Sequence, residues 1–240
     1  MKIPVRVLSI VVLLSNIAVA QVDTNAPVTK TGSSGLQIET RTDEERIKFL
    51  LDVGNVYFKE QDLDSAISAY ERVLEIDPMN KEARYIVSHV YIQAKQYAKA
   101  EKMLMELIDE YPEDFQLKNN LAWMYATAED PAFRHGDKAI ELSQEAMALA
   151  PNDHHVWSTL SEAYYVTGHY EKAYRAINQM AKLASRYGKD ITQDMVDDYN
   201  EQIRKCKRAI DTEKALKGED ATNDLEETDQ DEAILKISTP

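Results

Sequence analysis

The pattern of apolar and polar positions repeats along the middle of the chain with a period of 34 residues. Within each period, large side chains recur at spacings of three or four, which places them on one face of a helix, and a polar break separates two such helices. The template is residues 47–80, and its positions return in 81–114, 115–153 and 154–187. The pattern therefore predicts four consecutive pairs of α-helices.

A few residue types mark equivalent positions in the four copies. A small residue and a tyrosine lie in the first helix, an alanine lies in the second, and the first three copies close with proline. In copy order they are Gly54, Ser88, Ala122 and Ser161; Tyr57, Tyr91, Tyr125 and Tyr164; Ala66, Ala100, Ala139 and Ala173; and Pro78, Pro112 and Pro151. Small residues let the two helices approach closely, and proline ends a helix because it lacks the N–H. Since one pair cannot bury its own apolar face, the copies must stack.

These residues and their spacing resemble the tetratricopeptide repeat. The resemblance covers about residues 47–187 and implies an all-α, right-handed superhelical solenoid of four helix pairs. The fourth copy also carries the family's tryptophan, Trp157. Arg84 and Lys118 depart from the pattern because they replace an expected large residue, and Ser185 stands where the last proline would be.

The residues before the repeats differ from them in composition. Residues 1–20 have a basic start, an apolar run and small residues before Gln21, which predicts a secretory signal and an exported, periplasmic or extracellular protein. The apolar run is short for a bilayer span, so we expect no stable membrane insertion after cleavage, with a retained anchor as the alternative. Residues 21–42 are rich in Thr, Ser, Pro and Gly and predict a flexible linker.

Local signals predict where helices start and where the repeat is interrupted. Thr42 and Glu45 have the spacing of a capping box, which starts the ordered region at residue 43, and Asp62 can start the second helix of copy one. Copy three carries five extra residues within 128–136. We expect them to lengthen a turn that projects from one edge of the stack.

Beyond the repeats, the sequence predicts a cap and then a tail. Residues 188–217 predict a helix that covers the last apolar face of the solenoid, with one apolar stripe. The stripe consists of Met195, Tyr199, Ile203, Cys206 and Ile210. Residues 218–240 contain eight acidic residues, one lysine and no aromatic residue, which predicts a disordered tail with a short apolar patch at 233–235.

Charge and cysteine content restrict the partners and the sources of stability. The net charge of −14 argues against nucleic acid or an anionic membrane surface as the main partner, because both would be repelled. The one cysteine, Cys206, excludes an internal disulfide, and its place on the apolar stripe predicts a buried, inert thiol.

No motif in the sequence predicts catalysis. The five histidines lack the spacing of a metal site, and we expect the adjacent pair His154 and His155 to be solvated at a helix start. Nucleophile motifs, glycine-rich phosphate loops and paired cysteines do not occur. The sequence therefore predicts a protein that is not an enzyme and needs no cofactor.

The resemblance implies that a second stripe on the first helices lines a concave groove where peptides bind. This stripe is rich in aromatic and amide side chains, which could anchor a peptide and pair with its backbone; alternatively, they pack against neighbouring copies. The candidates are Asn55, Phe58, Tyr85, His89, Ile92, Asn119, Asn120, Trp123, Glu162 and Tyr165.

We therefore expect a non-catalytic scaffold that binds a protein or peptide segment in an envelope or secretion assembly. The alternatives are a structural protein that associates with copies of itself, and an accessory subunit of an envelope enzyme complex. The sequence leaves the oligomeric state open.

Overall fold

The computed structural model describes residues 42–187 and 192–217, and these residues form α-helices without any β-strand. The helices are α1 (Asp43–Lys59), α2 (Leu63–Ile76), α3 (Lys81–Gln93), α4 (Tyr97–Glu110), α5 (Phe115–Thr127), α6 (Gly136–Leu149), α7 (His154–Val166), α8 (Tyr170–Tyr187) and α9 (Gln193–Lys217). Each helix packs against the next one in the chain, from α1 and α2 through to α8 and α9. The prediction of an all-α solenoid is confirmed.

The helices start where capping side chains satisfy their first N–H groups. The Glu45 N–H donates to Thr42 Oγ1 at 3.2 Å, and the Thr42 N–H donates to Glu45 Oε2 at 2.9 Å, which completes the capping box of α1. The Ser65 N–H donates to Asp62 Oδ1 at 3.1 Å at the start of α2. The hydrogen bonds from Ser65 lower the pKa of Asp62, because they stabilise its charged form. Both predicted helix starts are confirmed.

The repeat alanines lie where the two helices of a copy meet. Ala66, Ala100, Ala139 and Ala173 are all fully buried. In copy one, Gly54 is also buried, and its Cα lies so close to the Tyr70 ring that a Cβ would meet Cε1 at 2.6 Å. Close approach of the helices thus depends on small residues, as the pattern predicts.

The repeat tyrosines join each copy to the second helix of the copy before it. The Tyr91 hydroxyl of α3 donates to Glu71 of α2 at 2.7 Å, and the Tyr125 hydroxyl of α5 donates to Glu101 of α4 at 2.7 Å. The Tyr164 hydroxyl of α7 accepts a hydrogen bond from Gln144 Nε2 of α6 at 3.1 Å. A lysine lies over each of the three rings, with its Nζ 5.0–5.6 Å from the ring centroid; these lysines are Lys99, Lys138 and Lys172. Stacking is therefore held by polar contacts as well as by apolar burial.

The two cations that replace an expected large residue of the repeat pattern form ion pairs between helices. The buried Arg84 guanidinium of α3 donates to both carboxylate oxygens of Glu110 in α4, at 2.7 and 2.8 Å, which raises the pKa of Arg84. The Lys118 ammonium of α5 donates to one carboxylate oxygen, Oε2, of Glu145 in α6. Each cation thus joins the two helices of its own copy.

The extra residues of copy three pack against copy two instead of simply projecting. Pro131–Phe133 form a 3-10 turn, and the Phe133 ring lies 5.7 Å from the Tyr97 ring, centroid to centroid. The Glu129 N–H donates to the Tyr97 hydroxyl at 3.1 Å, and the Glu129 carboxylate pairs with Lys95 at 2.7 Å. An aromatic contact, a hydrogen bond and an ion pair therefore hold this segment to α4 and the turn before it.

Helix α9 covers the last helix pair. All five residues of its predicted apolar stripe are buried, among them Cys206, whose thiol pKa is raised to about 11 by burial. The predicted burial of this thiol is confirmed, and a buried thiol with a raised pKa is expected to be a poor nucleophile. Within 42–187 and 192–217 no helix is both long and apolar enough to cross a bilayer. The predicted signal, the predicted linker up to residue 41 and the predicted acidic tail lie outside the described residues, whereas Thr42 belongs to the capping box of α1.

Candidate functional site

The first helices α1, α3, α5 and α7 carry the ten candidate groove residues, and we call the side formed by these residues the groove face. Seven of the ten side chains are half-buried; they are Asn55, Phe58, Tyr85, Ile92, Trp123, Glu162 and Tyr165. The other three, His89, Asn119 and Asn120, are buried. Phe58, Tyr85 and Ile92 also pack against the main apolar cluster. The groove face therefore combines partly accessible large side chains with polar groups beneath them.

In copies one and two, the groove face is organised by contacts between neighbouring helices. The Asn55 Oδ1 accepts a hydrogen bond from the Tyr70 hydroxyl at 2.8 Å, which fixes the amide. The Phe58 ring meets the His89 ring edge-on at a centroid distance of 5.8 Å, and His89 Nε2 lies 3.0 Å from Gln93 Nε2. Burial lowers the pKa of His89 to about 4, so this imidazole is neutral at pH 7.

In copies two and three, an amide pair lies below the aromatic surface. The Asn120 side chain lies beside the Tyr85 hydroxyl; burial raises the pKa of Tyr85, and this amide offsets part of the rise. Asn119 Oδ1 is buried and accepts no hydrogen bond from any described residue. A buried carbonyl oxygen without a donor is costly, so it would gain free energy from an N–H group that reaches it.

The two tryptophans have different surroundings. Trp157 Nε1 donates to the Pro151 carbonyl at 2.8 Å, and its ring packs against the apolar cluster formed by α8 and α9. Trp123 is half-buried on the groove face, and its ring belongs to none of the apolar clusters in the described chain. Trp157 therefore has a structural role, whereas Trp123 offers an accessible aromatic surface.

Helix α9 contacts the copy-four end of the groove face. Lys205 Nζ donates to both carboxylate oxygens of Glu162, at 2.8 and 3.0 Å, and lies 3.9 Å from the centroid of the Tyr165 ring. The Ser158 hydroxyl donates to Gln202 Oε1 at 3.2 Å. Glu162 and Tyr165 therefore already have partners within the chain. The repeat pattern could not reveal Lys205 and Gln202, because both lie outside the repeats.

The adjacent histidines are not solvated, so that prediction is wrong. Both are half-buried, their ring centroids are 4.0 Å apart, and His154 Nδ1 lies 3.1 Å from the Tyr199 hydroxyl of α9. Burial and the neighbouring His155 lower the pKa of His154 to about 4. The stripe of α9 brings Tyr199 against the start of α7, where it partly covers His154. Among the described residues, no cluster of His, Cys, Asp or Glu has the arrangement of a metal site.

Comparison with known proteins agrees with the repeat pattern. The profile of the tetratricopeptide repeat family matches residues 57–124. Superkiller protein 3 of Schizosaccharomyces pombe is 24% identical over 131 residues, which amount to 53% of this chain and only 9% of that protein.

Solved structures show the same fold at low identity. A thermophilic tetratricopeptide-repeat protein of Thermus thermophilus superposes with a TM-score of 0.52 and 18% identity, over 72% of this chain and 95% of that one. The MamA protein gives 0.50 and 20%, over 75% of this chain and 100% of that one. A mutant O-GlcNAc transferase of Thermobaculum terrenum gives 0.50 and 23%, over 62% of this chain and 27% of that one.

Proposed function

Because the chain is a tetratricopeptide-repeat protein, we propose that it is a non-catalytic scaffold that binds an extended protein or peptide segment along its groove face. The fold indicates a protein interaction scaffold in general. The proposal that a segment binds along the groove face rests on a row of half-buried large side chains on three consecutive first helices. These side chains are Phe58, Tyr85, Ile92 and Trp123. Accessible apolar surface of this kind generally marks a binding site.

The contacts beneath the groove face favour binding, because they hold it in place before a ligand arrives. Phe58 is held by His89, and Asn55 is held by Tyr70, so few side chains must be ordered when a peptide binds. The aromatic side chains supply apolar anchors, and the half-buried Asn55 supplies an amide for the backbone of an extended peptide.

The proposed setting is an envelope or secretion assembly. The basic start, apolar run and small residues of 1–20 support export. The net charge of −14 favours a protein partner over nucleic acid or an anionic membrane surface.

Trp123→Ala should weaken peptide binding by more than about tenfold, because hot-spot aromatic residues commonly contribute at least that much. The melting temperature should change little, since Trp123 lies outside the apolar clusters. Peptides would be selected from a displayed random library on the full-length chain, and the dissociation constant of a selected peptide would be measured for each variant by calorimetry.

Trp157→Ala is the matched control, because it removes the other tryptophan. It should lower the melting temperature and leave binding intact below that temperature. In a Trp157→Phe chain, Trp123 is the only tryptophan, so its fluorescence reports occupancy of the groove face. Equal affinity of the native and Trp123→Ala chains, together with unchanged Trp123 emission, would refute groove binding.

A further inference from the structure

Helix α1 exposes apolar side chains at positions that are buried in the next copy. Phe49, Val56 and Tyr57 are 50%, 54% and 37% exposed, and we call them the α1 face. The residues at the same positions of copy two are Ala83, Val90 and Tyr91. These three are at most 4% exposed, because α2 of the preceding copy packs against α3. The α1 face is therefore apolar or aromatic at the positions where α3 packs against the helix before it.

The end of α2 shows which side chains such a face accepts. Glu71 accepts the hydrogen bond from Tyr91 at 2.7 Å. Two residues further on, Val73 shares a buried cluster with Ala83 of α3 and Leu50 of α1, and Leu74 and Ile76 pack against that cluster. The segment 71–76 therefore supplies one carboxylate for the tyrosine and three apolar side chains for a cluster that joins α1 of its own copy to α3 of the next.

The apolar patch of the acidic tail has the same pattern. Residues 71–76 read Glu-Arg-Val-Leu-Glu-Ile, and residues 232–237 read Glu-Ala-Ile-Leu-Lys-Ile. The carboxylate and the three apolar positions correspond: Glu232 to Glu71, Ile234 to Val73, Leu235 to Leu74, and Ile237 to Ile76. The tail lacks a counterpart of Tyr70, whose ring lies against Gly54 and whose hydroxyl donates to Asn55 in α1 of its own copy. It keeps the carboxylate and the three apolar side chains that take part in the contact with the following copy.

We propose that the α1 face binds residues 232–237 of a second copy of this chain. Glu232 accepts a hydrogen bond from the Tyr57 hydroxyl, as Glu71 does from the Tyr91 hydroxyl. The apolar side chains of the tail, Ile234, Leu235 and Ile237, cover Phe49 and Val56. The contact repeats between two molecules the arrangement that joins copies one and two within one molecule. It does not involve the groove face and holds whether or not that face binds a peptide.

The reach of the tail favours a second copy over the same one. From α9, the path to the outer side of α1 crosses about five helix spacings of about 9 Å, or roughly 45 Å. Residues 218–231 would span at most about 50 Å when fully extended, and roughly 20 Å when relaxed. Binding within one molecule would require residues 218–231 to be almost fully extended. Binding to a second molecule does not require this extension.

Sedimentation equilibrium of the full-length chain over a wide concentration range tests the proposal. The weight-average mass should rise above the 27.3 kDa of one chain as concentration increases. Val56→Glu, or Ile234→Asp with Ile237→Asp, should weaken association more than about tenfold, because each variant places charge in an apolar contact. The matched controls are Val166→Glu, at another exposed valine, and Thr222→Asp with Thr228→Asp, which adds the same charge to the tail. Both controls should associate like the native chain.

Mixing the two defective chains gives the decisive result. The tail variant keeps an intact α1 face, and the Val56→Glu variant keeps an intact tail, so the mixture should associate although neither chain does so alone. The proposal would be overturned if the mass were that of one chain at every concentration. It would also be overturned if both variants associated as strongly as the native chain. Slow hydrogen exchange on α1 that persists in the tail variant would also overturn it, because another segment would then cover the face.

Discussion

Replacing Gly54 by alanine should destabilise the protein by about 2 kcal/mol, because it overpacks the contact between α1 and α2. The same change in a helix interior ordinarily stabilises by roughly 0.5–1 kcal/mol, so the two effects oppose each other. The added Cβ would lie 2.6 Å from Cε1 of the fully buried Tyr70 ring. That ring is also held by its hydrogen bond to Asn55, so it cannot move aside without a further cost. Thermal unfolding should show a melting temperature lower by about 4–8 °C.

A double-mutant cycle with Tyr70→Leu identifies the cause of this loss. In copy two, Ser88 and Leu104 occupy the positions of Gly54 and Tyr70, so a Cβ is tolerated there beside a smaller partner. Gly54→Ala should therefore cost little in the Tyr70→Leu background, with a coupling energy of at least about 1 kcal/mol. If Gly54→Ala raised the melting temperature of the native chain, helix propensity would outweigh the steric contact and the argument would fail.

Lowering the pH from 7 to 4 should reduce the free energy of unfolding by up to about 3 kcal/mol through His89 alone. Burial lowers the pKa of this histidine from 6.5 to about 4. The unfolded chain therefore binds a proton at a pH where the folded chain does not. The stabilisation is complete above about pH 6.5 and is lost as the pH falls towards 4. His154, whose pKa is also lowered to about 4, acts with the same sign.

Urea unfolding at a series of pH values measures this effect. In the His89→Gln chain, the free energy of unfolding should fall less steeply between pH 6.5 and 4. This expectation concerns the slope and does not depend on how much the substitution changes the free energy of unfolding at pH 7. His169→Gln is the control, because this side chain is exposed. An equally steep fall in the His89→Gln and native chains would show that other groups cause the acid sensitivity.

The predictions that succeeded depend on local spacing. The burial of Ala66 and Ala173 and the helix start at Thr42 follow from the period and from side chains within a few residues. The prediction of solvated histidines failed because His154 is covered by Tyr199, which lies 45 residues further along the chain. Likewise, the partners of Arg84 and Lys118 lie in the second helix of their copies, and only the packing of the helices brings them together.

The sequence by itself determined the helix pairs, their stacking and the small residues at their contacts, because these follow from side chains that recur at fixed spacing. Only the tertiary structure decided which groove candidates are accessible. It buries His89 and Asn119, leaves Trp123 half-buried, and joins Glu162 to Lys205. The physical reason is that exposure depends on the distance to the neighbouring helix and on the size of the side chains it presents. The period of one helix contains neither quantity.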